Sequence, residues 1–185
     1  MQRSIEESLL LRVNGLRSPA LDPVLSWLNE WGFYVLPLVM IALALRTRRR
    51  SDVASARDGW LAFLGALFLS ESVIKPLVHR LRPTGVPSLA AQLHVLGPVP
   101  SRASLSFPSG TASACVAAAA FIWLAWGRRA GIPAVLFAAL ISIGRLYIGV
   151  HWPSDLVAGA LLGAGVAYGL WRLSRWAAST PPPPT

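Results

Sequence analysis

Charge is scarce in this 185-residue sequence: Asp, Glu, Lys and Arg make up 14% of it, and Asp and Glu together number 8. A soluble domain needs a larger charged surface, and 54% hydrophobic residues leave too little polar material to build one. Cysteine is almost absent. The single Cys115, set among alanines, excludes an intramolecular disulfide and reads as a packing residue. Lysine is rarer still than the net charge of +9 suggests, because Lys75 is the only one among 17 basic residues. Those basic residues are scattered between apolar runs and form no basic face with interleaved aromatics, which excludes nucleic acid as a partner. The first residues, Met-Gln-Arg-Ser-Ile-Glu-Glu-Ser, lack the basic region, apolar stretch and small-residue site of a signal peptide, so no cleavage is expected.

What is present is a set of apolar runs approaching the roughly 20 residues that cross a bilayer. The fold class expected is all-α, a polytopic transmembrane helical bundle of five spans with room for a sixth. Residues 1–30 mix Glu6, Glu7, Arg12, Arg17 and Asp22 with leucines and read as an amphipathic helix in the interface, broken near Gly15, Pro19 and Pro23. The bundle is expected over 31–176, with spans near 31–45, 59–77, 108–126, 132–148 and 154–171. A disordered proline-rich tail is expected over 177–185.

Five spans place Arg46, Arg48, Arg49, Arg50, Arg57, Arg128, Arg129, Arg172 and Arg175 on one side, which the positive-inside rule makes cytoplasmic. Lys75, Ser109, Arg145, His151 and Asp155 then share the opposite, outer side. Trp27, Trp31, Trp123, Trp126, Trp171 and Trp176 fall near span ends, where an aromatic belt belongs. Gly159-x-x-x-Gly163 and Gly165-x-x-x-Gly169 read as small-residue helix contacts within the bundle.

Ionisable residues at the mouths of apolar spans are costly, and three clusters of them stand out. The first is Lys75 followed by Arg82-Pro83; the second is Pro108-Ser109-Gly110-Thr111; the third is Arg145, His151 and Asp155. A carboxylate four residues after a histidine can hold one imidazole tautomer and strengthen the ring as a nucleophile. Arg82 and Arg145 offer planar forks to phosphate oxygens, and Lys75 offers a compact ammonium. Ser109 and the N–H groups around Gly110 open a helix after a proline, a natural anion site without a metal. Glu71, four residues before Lys75, either pairs with it or packs polar groups inside the bundle.

In this order the clusters resemble the three-part motif of the type 2 phosphatidic acid phosphatase superfamily, over roughly residues 70–170. The resemblance implies a helical-bundle lipid phosphatase, diphosphatase or phosphotransferase. It implies His151 as the nucleophile that forms a phosphohistidine, Asp155 as the group orienting its ring, and Lys75, Arg82, Ser109, Gly110 and Arg145 as phosphate ligands. No cofactor and no metal are expected. The expected partners are a phosphorylated lipid substrate and membrane lipids, and a bacterial inner (plasma) membrane is the expected location. Oligomeric state is left open.

Two positions depart from the motif. Gly144 precedes Arg145 where a serine is usual, and Thr111 stands at the catalytic position where the family has a histidine taken as the general acid. Threonine cannot act as an acid near neutral pH, and losing such a group costs about 10²- to 10⁴-fold. A lipid alkoxide needs that proton more than a phosphate leaving from a diphosphate does, so lipid diphosphates such as a polyprenyl diphosphate are the expected substrates. His79 and His94 are the alternative acids, or else rim histidines. A phosphotransferase, or a silent phospholipid-binding member of the family, is the alternative function.

Overall fold

In the computed structural model, which describes residues 4–96 and 104–179, the chain is a bundle of helices. We label them α1 (Ile5–Asn14), α2 (Leu21–Thr47), α3 (Arg50–Val78), α4 (Gly110–Trp126), α5 (Arg128–Tyr147) and α6 (Pro153–Ser179). Among the described residues the only extended pairing is an isolated bridge between Leu81 and Leu105. Helices α2, α3, α5 and α6 are long and apolar enough to cross a membrane. Helix α4, about 25 Å long at 1.5 Å per residue, is the shorter, central one.

Alanine explains why α4 is central. Ala112, Ala114, Ala117, Ala118 and Ala119 keep the first turns of the helix slim, and α3, α5 and α6 all pack against it. Without a hydrophobic gain from leaving lipid, such close packing is what holds membrane helices together. Gly159 and Gly163 of α6 complete it, since a side chain at either would run into the backbone of α4 at Ser109 or Ser113. Gly165 and Gly169 differ from the expectation: a Cβ at either meets nothing, so this second pair makes no helix contact within the bundle. Cys115 is free and buried in the main core with Met40, Phe63, Ile122 and Ile141.

Several boundaries also differ from those expected. The first span begins at Leu21 rather than near 31, because Pro23 falls in its first turn, where a missing N–H interrupts no bond. A tight turn at Gly32–Tyr34 carries the helix on. Helix α3 starts at Arg50, nine residues ahead of the apolar run, and α6 continues through Ser179; the remaining tail residues, 180–185, lie outside the described residues.

One end of the bundle gathers the basic connections. Arg46 and Arg129 line one cleft with Trp126, and Arg57 and Arg175 line another. The other end receives α1, the segment after α3 and the loop joining α5 to α6. Helix α1 is capped by Ser4, whose hydroxyl accepts from Glu7 N–H while Glu7 reaches back to the Ser4 N–H. It packs on that end through fully buried Leu10, against Leu89, Leu146, Trp152 and Leu156. Asn14 ties it down by donating to the carbonyls of Tyr147 at 2.7 Å and His94 at 2.8 Å.

Candidate active site

The α5–α6 loop carries His151, and α6 begins at Pro153, so Asp155 falls in the first helical turn, where the exposed N–H groups favour a carboxylate. The Trp152 N–H donates to Asp155 Oδ2 at 2.9 Å, and the same oxygen lies 3.3 Å from His151 Nδ1. His151 Nε2 is 3.0 Å from Arg82 Nη1. A guanidinium only donates, so Nε2 accepts and the ring proton is on Nδ1, facing Asp155. The imidazole and the carboxylate are both almost completely buried. Burial, then the charges of Arg145, Arg82 and Lys75, holds the imidazole well below its ordinary pKa. His151 is therefore neutral, with an oriented lone pair on Nε2.

Arg82 is positioned by a second hydrogen bond, from Nη1 to the Val150 carbonyl at 2.9 Å. Its backbone neighbours are pinned by the Ser106 N–H donating to Arg80 O at 2.8 Å and by Trp152 Nε1–H donating to Leu81 O at 2.9 Å. Lys75 is buried and bonds Glu71 Oε1, one helical turn back on α3, so of the two readings of Glu71 the ion pair is the one observed. Between Leu69 and Ile74 that helix widens to i→i+5 bonding, a distortion frequent at functional sites. Glu71 lies directly over Gly110: a Cβ there would overlap its carboxylate, which is why this helix start takes no side chain.

Ser109 caps α4, its Oγ accepting from the Ala112 N–H at 3.3 Å, and its own N–H donates to the Asp155 carbonyl at 3.0 Å. Accepting leaves the hydroxyl proton for a ligand. Thr111 follows in the same first turn, half-buried. Arg145 closes the last turn of α5. The Nε atoms of Arg82 and Arg145 are both buried with no hydrogen-bond partner among the described residues. Two such cationic donors close to a neutral imidazole suit an anionic ligand.

The two remaining histidines are placed elsewhere. His79 ends α3 in a left-handed conformation, φ 53°, and is exposed. His94 faces Asp22 at 3.5 Å, in the group that seats α1 and α2. The residue that sequence reasoning missed is Arg80. It donates to Asp155 Oδ1 at 3.0 Å, to Ser154 Oγ at 2.6 Å and to Glu6 Oε2 at 2.6 Å, and lies over the Trp152 ring at 5.0 Å. Glu6 also accepts from the Ser154 N–H at 3.1 Å. Burial pushes the Glu6 carboxyl up, but the hydrogen bonds from Ser154 and Arg80 outweigh it and hold the group below the usual carboxylate range. The alternation Arg80-Leu81-Arg82 was the available signal: in extended backbone, residues two apart share a face, so both arginines reach the same site.

A model of the PAP2 superfamily matches residues 59–179, almost two thirds of the chain. The chain belongs to the PAP2 superfamily. It is 27% identical over 158 residues to an undecaprenyl-diphosphatase of Sulfolobus acidocaldarius, covering 84% of this chain and 72% of that one. It is 35% identical over 136 residues to a decaprenylphosphoryl-5-phosphoribose phosphatase of Mycobacterium tuberculosis, covering 73% and 67%. A lipid A 4'-phosphatase of Bacteroides thetaiotaomicron is 31% identical over 176 residues, covering 90% and 74%. Among solved structures, LpxE of Aquifex aeolicus superposes with a TM-score of 0.73 at 25% identity, covering 92% of this chain and 97% of that one. The protein is a multi-pass membrane phosphatase, a phosphoric ester hydrolase. The PAP2 match begins at Gly59, inside α3, so Glu6 reaches Arg80 and Ser154 from outside the matched stretch.

Proposed function

We propose that this PAP2 phosphatase removes the terminal phosphate of a lipid diphosphate at the outer face of the membrane, through a phosphohistidine on His151. The observation that carries the reading is the fixed tautomer: Nδ1–H faces Asp155, and the Nε2 lone pair accepts from Arg82, whose Nε, like that of Arg145, has no partner among the described residues. Lys75, Arg82 and Arg145, with the Ser109 hydroxyl and the N–H groups around Gly110, hold the phosphate oxygens. Nε2 attacks phosphorus, the N–P bond forms as the bridging P–O bond breaks, and the lipid monophosphate leaves. Asp155 stabilises the positive ring. Water then cleaves the N–P bond, releasing inorganic phosphate and restoring His151.

One feature supports a diphosphate over a monoester. Thr111 supplies no acid near neutral pH for an alkoxide leaving group. The relatives' names divide on this point: one is an undecaprenyl-diphosphatase, and the others are a decaprenylphosphoryl-5-phosphoribose phosphatase and a lipid A 4'-phosphatase. The basic connections at the far end of the bundle support an outward-facing site, in a plasma membrane, by the positive-inside rule.

The test is phosphate release by the full-length protein in detergent with EDTA, from a polyprenyl diphosphate and from phosphatidic acid, beside His151→Ala. Diphosphate turnover that the variant loses, with an acid-labile phosphoenzyme in the native protein, is the expected result. Faster release from phosphatidic acid would overturn the diphosphate preference, and EDTA-sensitive turnover that survives His151→Ala would overturn the mechanism.

A further inference from the structure

Helices α5 and α6 both pack closely on α4 but scarcely on each other. Between them, with α4 as the floor, runs a groove of about 400 Å³. Its floor and walls include Ala119, Ala138, Ala139, Leu156, Val157 and Ala160. The one hydroxyl in it, that of Ser142, is turned away from any ligand by donating to the Ala138 carbonyl at 2.7 Å, so the lining is effectively apolar.

Its position gives it a use. On α5 the lining ends at Ile143, two residues before Arg145, and on α6 it starts at Leu156, next to Asp155. From Ile143 back to Val135 it descends about 12 Å along the helix, away from the phosphate-holding end and into the span. Small side chains keep it open. Val135, Ile143 and Val157, exposed to the bilayer, form its lips.

We propose that this groove receives the first stretch of the substrate's apolar tail, a single prenyl-type or acyl chain, while the phosphate lies at His151. The inference rests on the lipid-phosphatase reading above and deepens it by assigning residues to tail recognition. The occupant follows from position: the groove is apolar and open to lipid, and its lining ends two residues before Arg145 on α5 and begins beside Asp155 on α6. The tail passes from lipid to protein, so area burial contributes little, and the fit between chain and alanine walls decides. One methylene in a fitted apolar pocket changes discrimination by about tenfold or more.

The experiment fills the groove in the full-length protein. Ala139→Leu and Ala160→Phe are compared with Leu161→Phe, a lipid-exposed neighbour outside the lining, on a long-chain polyprenyl diphosphate and on a short, water-soluble prenyl diphosphate. Filling is expected to raise KM for the long chain about tenfold while leaving kcat/KM for the short substrate and the Leu161→Phe values unchanged. Equal effects on both substrates, or none on either, would overturn the assignment. A second measurement uses His151→Ala and a long-chain diphosphate carrying a photoreactive group near its head. Labelling of peptides holding 135–143 and 156–160 is expected, and labelling elsewhere would overturn the groove. If the native protein releases phosphate from neither diphosphate yet the labelling maps to the groove, the hydrolase reading fails and the tail site stands.

Discussion

Arg80 is the residue whose removal tests the site most sharply, because it touches the orienting carboxylate and not the histidine. Arg80→Ala deletes a charge-assisted hydrogen bond to an Asp155 side chain with no solvent exposure, leaving it the Trp152 N–H and His151 Nδ1–H. A hydrogen bond to a charged group contributes about 1.5–3 kcal/mol. If that stabilisation bears on the positive ring as it forms, kcat falls by about 10- to 100-fold, at 1.36 kcal/mol per decade. Arg80 also holds Glu6, so the same change loosens α1, and Glu6→Gln serves to separate the two effects: it weakens the α1 tie while leaving Arg80 on Asp155. The assay is single-turnover formation of the acid-labile phosphoenzyme, with kcat/KM followed against pH. Because the low pKa of His151 comes from burial and from Arg145, Arg82 and Lys75, Arg80→Ala is expected to leave the acid limb in place. A phosphoenzyme rate within twofold of native, or a rate loss reproduced in full by Glu6→Gln, would refute the positioning role.

Arg82→Ala removes one of the cations that depress the His151 pKa, so the acid limb of kcat/KM is expected to move upward toward the ordinary imidazole value; an unmoved limb would detach that limb from His151. Gly163→Ala drives a Cβ into the Ser113 carbonyl on α4, and a cost of about 1–3 kcal/mol is expected as a lowered thermal midpoint, against little change for Gly165→Ala, which meets nothing. Gly110→Ala overlaps the Glu71 carboxylate and is expected to lower phosphate affinity as Glu71 and its partner Lys75 shift; combining it with Glu71→Ala restores the room and is expected to recover part of the loss. Thr111→His is expected to raise turnover of phosphatidic acid relative to the diphosphate, and an unchanged ratio would remove the leaving-group argument.

The bundle was legible because lipid imposes length and apolarity on every span, and because Pro108 and Pro153 mark helix starts that the structure places within two residues of them. What composition obscured were boundaries where charge and helix overlap: Asp22 and Glu30 make residues 21–30 look interfacial, yet they begin α2. The candidate site was legible through side chains with few innocent reasons to be there, such as a lone lysine and His151 followed by Asp155. Arg80 was marked only by its alternation with Arg82, a weak signal because an arginine among other arginines stands out little. Glu6 was beyond reach for a stronger reason: its partner Ser154 is 148 residues away, and nothing local records that contact.

The depressed pKa of His151 ties the site's chemistry to its stability. Its folded pKa lies below the unfolded value, so the unfolded chain binds more protons at acid pH. Stability is then lost as pH falls from the unfolded pKa, about 6.5, down to the folded one, and above about 6.5 the group contributes nothing either way. The same cations that impose this cost leave two buried guanidinium Nε donors unpartnered. A bound phosphate reverses both conditions. Its negative charge offsets Arg82, Arg145 and Lys75, meets the two Nε donors and makes a positive ring on His151 less costly, which in the proposed mechanism is the state that Nε2 enters on bonding to phosphorus. Burial and the surrounding positive charge together oppose the positive ring of the proposed phosphoenzyme, and an anion offsets the second of these. In the proposed mechanism, substrate binding and nucleophile activation are thus one electrostatic event.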